Sequence, residues 1–101
     1  IIFPDGTKEY WLNGQPHRTG GPAIIFPDGY QGYWQNGELH RTNGPAIILR
    51  SGYKAYLQFG ILHRTNGPAL IFGNGAEEYH LHGIKLTKAQ WEIQKLKDQI
   101  I

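Results

Sequence analysis

A period of 23 residues constrains this chain more than any other feature. Written in register, Ile1 to Ala23 reads IIFPDGTKEYWLNGQPHRTGGPA and Ile24 to Ala46 reads IIFPDGYQGYWQNGELHRTNGPA. Ile47 to Ala69 reads IILRSGYKAYLQFGILHRTNGPA, and an altered fourth unit begins at Leu70. No insertion breaks the period. A chain of this kind repeats one supersecondary unit and buries its apolar surface by stacking neighbours.

Each unit reads as strands and turns. Ala23 to Phe26 is a short apolar run with β-branched residues. Pro27-Asp28-Gly29 then supplies a preset φ, a side chain that bonds the turn backbone, and a residue that accepts positive φ. Tyr30 to Gln35 reads as an aromatic-rich strand. Asn36-Gly37 predicts a type I′ hairpin turn, because both central residues of that turn need φ > 0. Glu38 to His40 returns, and Arg41-Thr42-Asn43-Gly44-Pro45 leads to the next unit. The turns decay to Ser51-Gly52, Phe59-Gly60, Asn74-Gly75 and His82-Gly83, with each glycine retained.

The last unit ends in a helix. Thr87 and Gln90 form a capping box, and Leu86 and Trp91 are placed as its hydrophobic staple. The expected fold is all-β: one domain over residues 1–101, an elongated single-layer sheet of hairpins with a short C-terminal capping helix over about 87–99. The units are 1–23, 24–46, 47–69 and 70–86.

Composition excludes several classes. Aromatics make up 13% of the chain, which argues against disorder. The net charge of +2 gives no uniform nucleic-acid footprint, so no nucleic-acid partner is expected. There is no cysteine, hence no disulfide framework. No apolar run approaches the roughly 20 residues of a membrane span, and no signal-peptide pattern opens the chain. A cytoplasmic or virion-associated location is expected. The absence of methionine, and a pattern already under way at Ile1, lead to the expectation that the chain belongs to a longer product.

The stretch Tyr30-Gln31-Gly32-Tyr33-Trp34-Gln35-Asn36-Gly37-Glu38-Leu39-His40 resembles a MORN (membrane occupation and recognition nexus) repeat. That family's pattern is Tyr-x-Gly-x-Trp or Phe-x-Asn-Gly, often followed by a His, at the same period. The likeness covers nearly all of Ile1 to Gly83. The chain departs from the pattern in two ways: Arg-Thr-Asn-Gly-Pro-Ala follows the His, and the first glycine is replaced by Glu9, Ala55 and Glu78. It is closer to variant NGxxHRxxGPA repeats of phages, giant viruses and some bacteria, which end in a helix like that following Gly83. The resemblance implies a sheet of β-hairpins with a groove. It also implies scaffolding, dimerisation or phospholipid contact, with any enzyme activity carried by other domains.

His17, His40 and His63 recur at one period, each followed by Arg18, Arg41 or Arg64. One His per unit forms a ladder and does not converge on a point, so no metal site is expected. The favoured reading makes each His a cap on a neighbouring turn and pairs each Arg with a turn carboxylate or carbonyl. Asp5 and Asp28 are the carboxylates in view, and Ser51 in the third unit leaves an Arg available for an anion. Arg18, Arg41 and Arg64 are therefore the candidate anion-binding residues. His80 and His82 have ligand-like spacing but stand where other units carry different residues. Tyr10, Tyr33, Tyr56 and Tyr79 form one column, and Trp11, Trp34, Leu57 and His80 form the next. Adjacent strand residues point to opposite faces, so the two columns cannot share one core. Which column faces outward stays open at this point; Trp11, Tyr30, Trp34, Tyr53 and Leu57 are the candidate groove.

No serine, cysteine or carboxylate stands in a catalytic context, so the chain is expected to be non-enzymatic and to carry no cofactor. A protein-binding or scaffold module, with another protein or a second copy as partner, is the leading expectation. A glycan- or anionic-lipid-binding module is the alternative; for lipid, Lys88, Lys95 and Lys97 would join the arginines. Ala89, Ile93, Leu96 and Ile100 share one helical face, with Trp91 near the opposite face. Ile93, Leu96 and Ile100 are the candidate partner contact, and whether this stripe covers the sheet or meets another chain is left open.

Overall fold

A computed structural model of the chain describes residues 1–99. It consists of β-hairpins in an antiparallel sheet followed by one C-terminal helix, α1 (Lys88–Gln99). The principal extents are 48 × 33 × 18 Å.

The main sheet is a meander in which corresponding strands follow one another. Ile24–Ile25 pairs with Lys8–Glu9 on one side and Gln31–Gly32 on the other. Ile47–Ile48 lies between Gln31–Gly32 and Lys54–Ala55, and Leu70–Ile71 between Lys54–Ala55 and the strand Glu77–Leu81. The register sorts the two faces by chemistry. Ile24, Ile47 and Leu70 stand opposite Gly32 and Ala55 in the middle of the sheet, with Glu9 across from Ile24 and Glu78 across from Leu70 towards its ends, whereas Ile25, Ile48 and Ile71 stand opposite Lys8, Gln31, Lys54 and Glu77. An antiparallel sheet with one packed and one wet face has this alternation. The packed face collects the core: Ala46, Ala55, Leu57 and Leu70, flanked by Leu39, Ile47, Tyr53, Leu62 and Phe72.

The expected strand from Tyr30 to Gln35 is interrupted at Tyr33. The Tyr33 N–H donates to the Ala46 carbonyl at 2.7 Å, while the Tyr33 carbonyl accepts from the His40 N–H at 2.9 Å. At this residue the chain leaves the main sheet and enters its own hairpin, Trp34–Gln35 with Glu38–Leu39. Tyr10 and Tyr56 make the same exchange, with Ala23 and His17 and with Ala69 and His63. The other hairpins are Trp11–Leu12 with Gln15–Pro16, Leu57–Gln58 with Ile61–Leu62, and Leu81 with Ile84 in the longer last pair.

The hairpin turns have the expected conformation in all units. Asn13, Asn36, Phe59 and His82 sit at φ of 51–53°, each followed by a glycine with φ of 76–82°. Asn tolerates this region; a phenylalanine there is strained, and Phe59 is held in it by the turn's own bonds, its N–H to His40 Nδ1 and the Gly60 N–H to the Leu39 carbonyl.

The helix begins as the capping box predicts. The Thr87 N–H donates to Gln90 Oε1 at 3.0 Å, and the Gln90 N–H donates to Thr87 Oγ1 at 3.1 Å. Trp91 is the buried residue of α1 at 5% exposure, packed on Tyr79 of the last hairpin, whose Leu81 and His80 are also buried. Ile93 and Leu96 are 56% and 58% exposed. Ile100 lies outside the described residues. No helix of the described chain is long and apolar enough to cross a membrane.

Candidate interaction surface

The His and Arg columns do separate jobs. His17 Nδ1 accepts the Asn36 N–H at 3.1 Å, His40 Nδ1 accepts the Phe59 N–H at 3.0 Å, and His63 Nδ1 accepts the His82 N–H at 3.0 Å. Each imidazole thus caps the turn of the following unit. The turn residue then lies against the ring: His40 and Phe59 centroids are 4.4 Å apart, and His63 and His82 centroids 4.6 Å. An imidazole can accept here only through an unprotonated Nδ1, so the proton resides on Nε2. Burial, and next the charge of His82, hold the His63 pKa below its usual value, against an opposing pull from Asp98.

Each arginine lies over the tyrosine ring of its own unit. The Arg18, Arg41 and Arg64 guanidinium carbons are 4.0, 3.9 and 3.8 Å from the Tyr10, Tyr33 and Tyr56 ring centroids. Their Nη1 groups donate to the carbonyls of Pro22, Pro45 and Pro68 at 3.2, 3.2 and 3.1 Å. The loop glycine makes room: a Cβ on Gly44 would come within 2.8 Å of the Arg41 guanidinium. Of the two expected partners, a turn carboxylate or a carbonyl, the carbonyl is the one used, and neither Asp5 nor Asp28 pairs with an arginine. Those carboxylates accept from the Thr7 and Tyr30 N–H groups within their own turns, a use local to aspartate in turns. Hydrogen bonding to Thr7 lowers the Asp5 pKa. Because the arginines bind carbonyls and rings, Ser51 does not set Arg64 apart from the others.

The same seat is filled differently at the last unit. One period after Arg64 stands Thr87, and one period after Pro68 stands Trp91. The Trp91 ring covers Tyr79 with centroids 4.9 Å apart, and its Nε1–H donates to the Arg64 carbonyl at 2.9 Å. Lys95 Nζ caps the outer face of the indole at 4.1 Å. Trp91 therefore substitutes for an arginine of the ladder. The sequence carried that signal in its register, but the staple reading alone did not expose it.

The candidate groove is graded, not uniform. Trp11 is 49% exposed, Trp34, Tyr30 and Tyr53 are half-buried, and Leu57 at 9% belongs to the core. Leu57 is thus removed from any open groove, because Leu39, Leu62 and Tyr53 close around it. The residue two positions earlier decides how each indole or imidazole is satisfied. Trp11 Nε1 donates to Glu9 Oε1 at 3.0 Å, and His80 Nε2 meets Glu78 Oε1 at 3.3 Å. Glu78 also pairs with Lys85 at 3.4 Å; the His80 hydrogen bond is the main reason its pKa is lowered. Gly32 offers no such partner, and Trp34 Nε1 is left buried without one.

Two open troughs run between successive His-Arg-Thr-Asn loops. The first, about 490 Å³, is lined by Arg18, Arg41, Tyr33, Gln35, His40 and Thr42 among others. The second, about 360 Å³, is lined by Arg41, Arg64, Tyr56, Gln58, His63 and Thr65 among others. Neither lining contains an aspartate or glutamate. Among the described residues no three His, Asp or Glu side chains are grouped to hold a metal ion. No family model, no curated protein and no solved structure matches the chain.

Proposed function

We propose that the chain is a non-enzymatic scaffold module of MORN-like repeat design, built as a solenoid of hairpins, that holds another protein chain, a second copy included. The observation that carries this reading is the division of labour on α1. Trp91 takes the inner seat on Tyr79 and the Arg64 carbonyl, so Ile93 and Leu96 on the other side are left facing outward. A helix that served only as a lid would not need an apolar stripe on its wet side. Apolar side chains held outward on a rigid helix are a recurrent docking mode for polypeptides.

The test is the double change Ile93→Glu with Leu96→Glu, read by sedimentation and by cross-linking. Association is expected to disappear while the far-UV β signal and cooperative unfolding persist. If the double variant unfolds the hairpins instead, the stripe serves the fold and the docking reading is wrong.

The troughs support a second reading, contact with an anionic group on a lipid or glycan. Each is flanked by two guanidinium groups and carries no carboxylate, a donor-rich setting suited to an oxyanion. Salt-sensitive flotation with anionic vesicles, lost in Arg18→Gln with Arg41→Gln, would favour this reading; salt-insensitive or absent flotation would exclude the lipid version.

A further inference from the structure

We propose that the outer face of the first unit is a docking surface for a further hairpin of this same design, one whose His–Arg end is uncovered. The same contacts recur at every junction between units inside the molecule. At each junction the earlier unit supplies an imidazole acceptor, a carbonyl and an N–H, and the later unit supplies the complements.

Three bonds define the junction. The turn N–H groups of Asn36, Phe59 and His82 donate to His17, His40 and His63. The next N–H groups, of Gly37, Gly60 and Gly83, donate to the carbonyls of Pro16, Leu39 and Leu62 at 3.1, 2.8 and 2.8 Å. In the reverse sense, the Arg18, Arg41 and Arg64 N–H groups donate to the carbonyls of Trp34, Leu57 and His80 at 3.2, 3.2 and 3.3 Å. The junction therefore has a direction: a His–Arg face meets a turn face.

The first unit presents the turn face already shaped. Asn13 and Gly14 hold the same positive φ as their counterparts, 53° and 77°. Among the described residues the Asn13 N–H, the Gly14 N–H and the Trp11 carbonyl have no protein partner. Trp11 and Leu12 beside them are both 49% exposed, and Ile1 and Ile2 are 71% exposed. These groups await an imidazole, a carbonyl, an N–H and an apolar wall, which is what a His–Arg end provides.

A second copy of this chain is not the occupant, because its last unit lacks the matching face. Leu86 and Thr87 stand one period after His63 and Arg64, and Trp91 of α1 covers Tyr79 where a guanidinium would lie. Among the described residues the last unit presents no His–Arg face.

The test places a copy of residues 24–46 in front of Ile1 of the full chain and follows amide hydrogen exchange by NMR. The Asn13 and Gly14 amides are expected to exchange at least about tenfold more slowly in the extended chain, as local opening becomes coupled to a new junction. With His40→Leu in the added copy, Asn13 protection should be lost while Gly14, which meets a carbonyl, keeps its own. The proposal is overturned if Asn13 and Gly14 exchange as fast with the added unit as without it, or if the His40→Leu copy protects Asn13 equally. It is also overturned if Asn13 protection in the unextended chain rises with its own concentration, which would make a second copy the occupant.

Discussion

Replacing Trp91 by alanine would release α1 from the sheet. The side chain is 5% exposed, packs at a tilt on Tyr79 with centroids 4.9 Å apart and donates to the Arg64 carbonyl at 2.9 Å. An indole buries about 150–250 Å². At about 25 cal/mol per Å² that is roughly 4–6 kcal/mol as an upper bound. Alanine keeps a fraction of the contact, so the expected loss is about 3–5 kcal/mol, the usual range for a buried tryptophan. Trp91→Phe separates the two contributions: it leaves a ring against Tyr79 and removes only the hydrogen bond to Arg64, at a cost of about 1–2 kcal/mol. Urea unfolding monitored by far-UV circular dichroism reads both variants, with the helical component expected to melt first in Trp91→Ala. A loss under about 1 kcal/mol in Trp91→Ala, with the helical signal unchanged, would refute the anchoring role. Equal losses in the two variants would show that the ring contact contributes nothing.

Two further outcomes follow from the hairpin turns and their imidazole caps. Gly37→Val should lower stability by about 1–3 kcal/mol, since a β-branched residue would be forced to positive φ; the Gln15 side chain, 3.3 Å from the new Cβ, adds crowding. An unchanged thermal midpoint would contradict the type I′ assignment. Stability should also fall as the pH drops below the 6.5 of an unperturbed histidine, because His63 is held neutral in the fold and the unfolded chain takes up the proton first. The contribution is complete above that value and is lost as pH falls through the lowered folded value. The melting midpoint between neutral and mildly acidic pH should decline less in His63→Gln than in the parent, and parallel curves would rule the effect out. His82 and Asp98 share this corner, and the lowered pKa of Asp98, caused first by its bond to Gln94, keeps its own titration to more acidic pH.

The turns and the helix start were legible because they are local. Asn36-Gly37 specifies a left-handed pair within two residues, and Thr87 with Gln90 specifies a helix start within four. Even Phe59 and His82, poor choices for such a turn, could be placed by the glycine after them. The Tyr–Arg stacks were not legible, because Tyr33 and Arg41 are joined only when the hairpin closes and the Gly44 loop folds back. The break at Tyr33 was hidden for a related reason. Strand propensity is uniform from Tyr30 to Gln35, and only the change of hydrogen-bond partner from Ala46 to His40 divides it. Charge alone leaves carboxylate and carbonyl both open as partners of the arginines; the nearer backbone N–H groups of Thr7 and Tyr30 take the carboxylates of Asp5 and Asp28, and the proline carbonyls take the guanidinium groups.

The imidazole–turn contacts have one more consequence. Units of nearly the same sequence are ambiguous to one another: a strand of one could pair as well with the wrong neighbour, or with a neighbour in another molecule. The bonds shared by every junction do nothing to resolve this. The departures do, because His40 meets a phenylalanine at its junction and His63 meets another histidine. Each decayed position acts as an address, telling one junction from the next. Imperfection in the repeat is then information, and a chain made uniform at Phe59 and His82 would relieve strained turns while losing the labels that put its units in order.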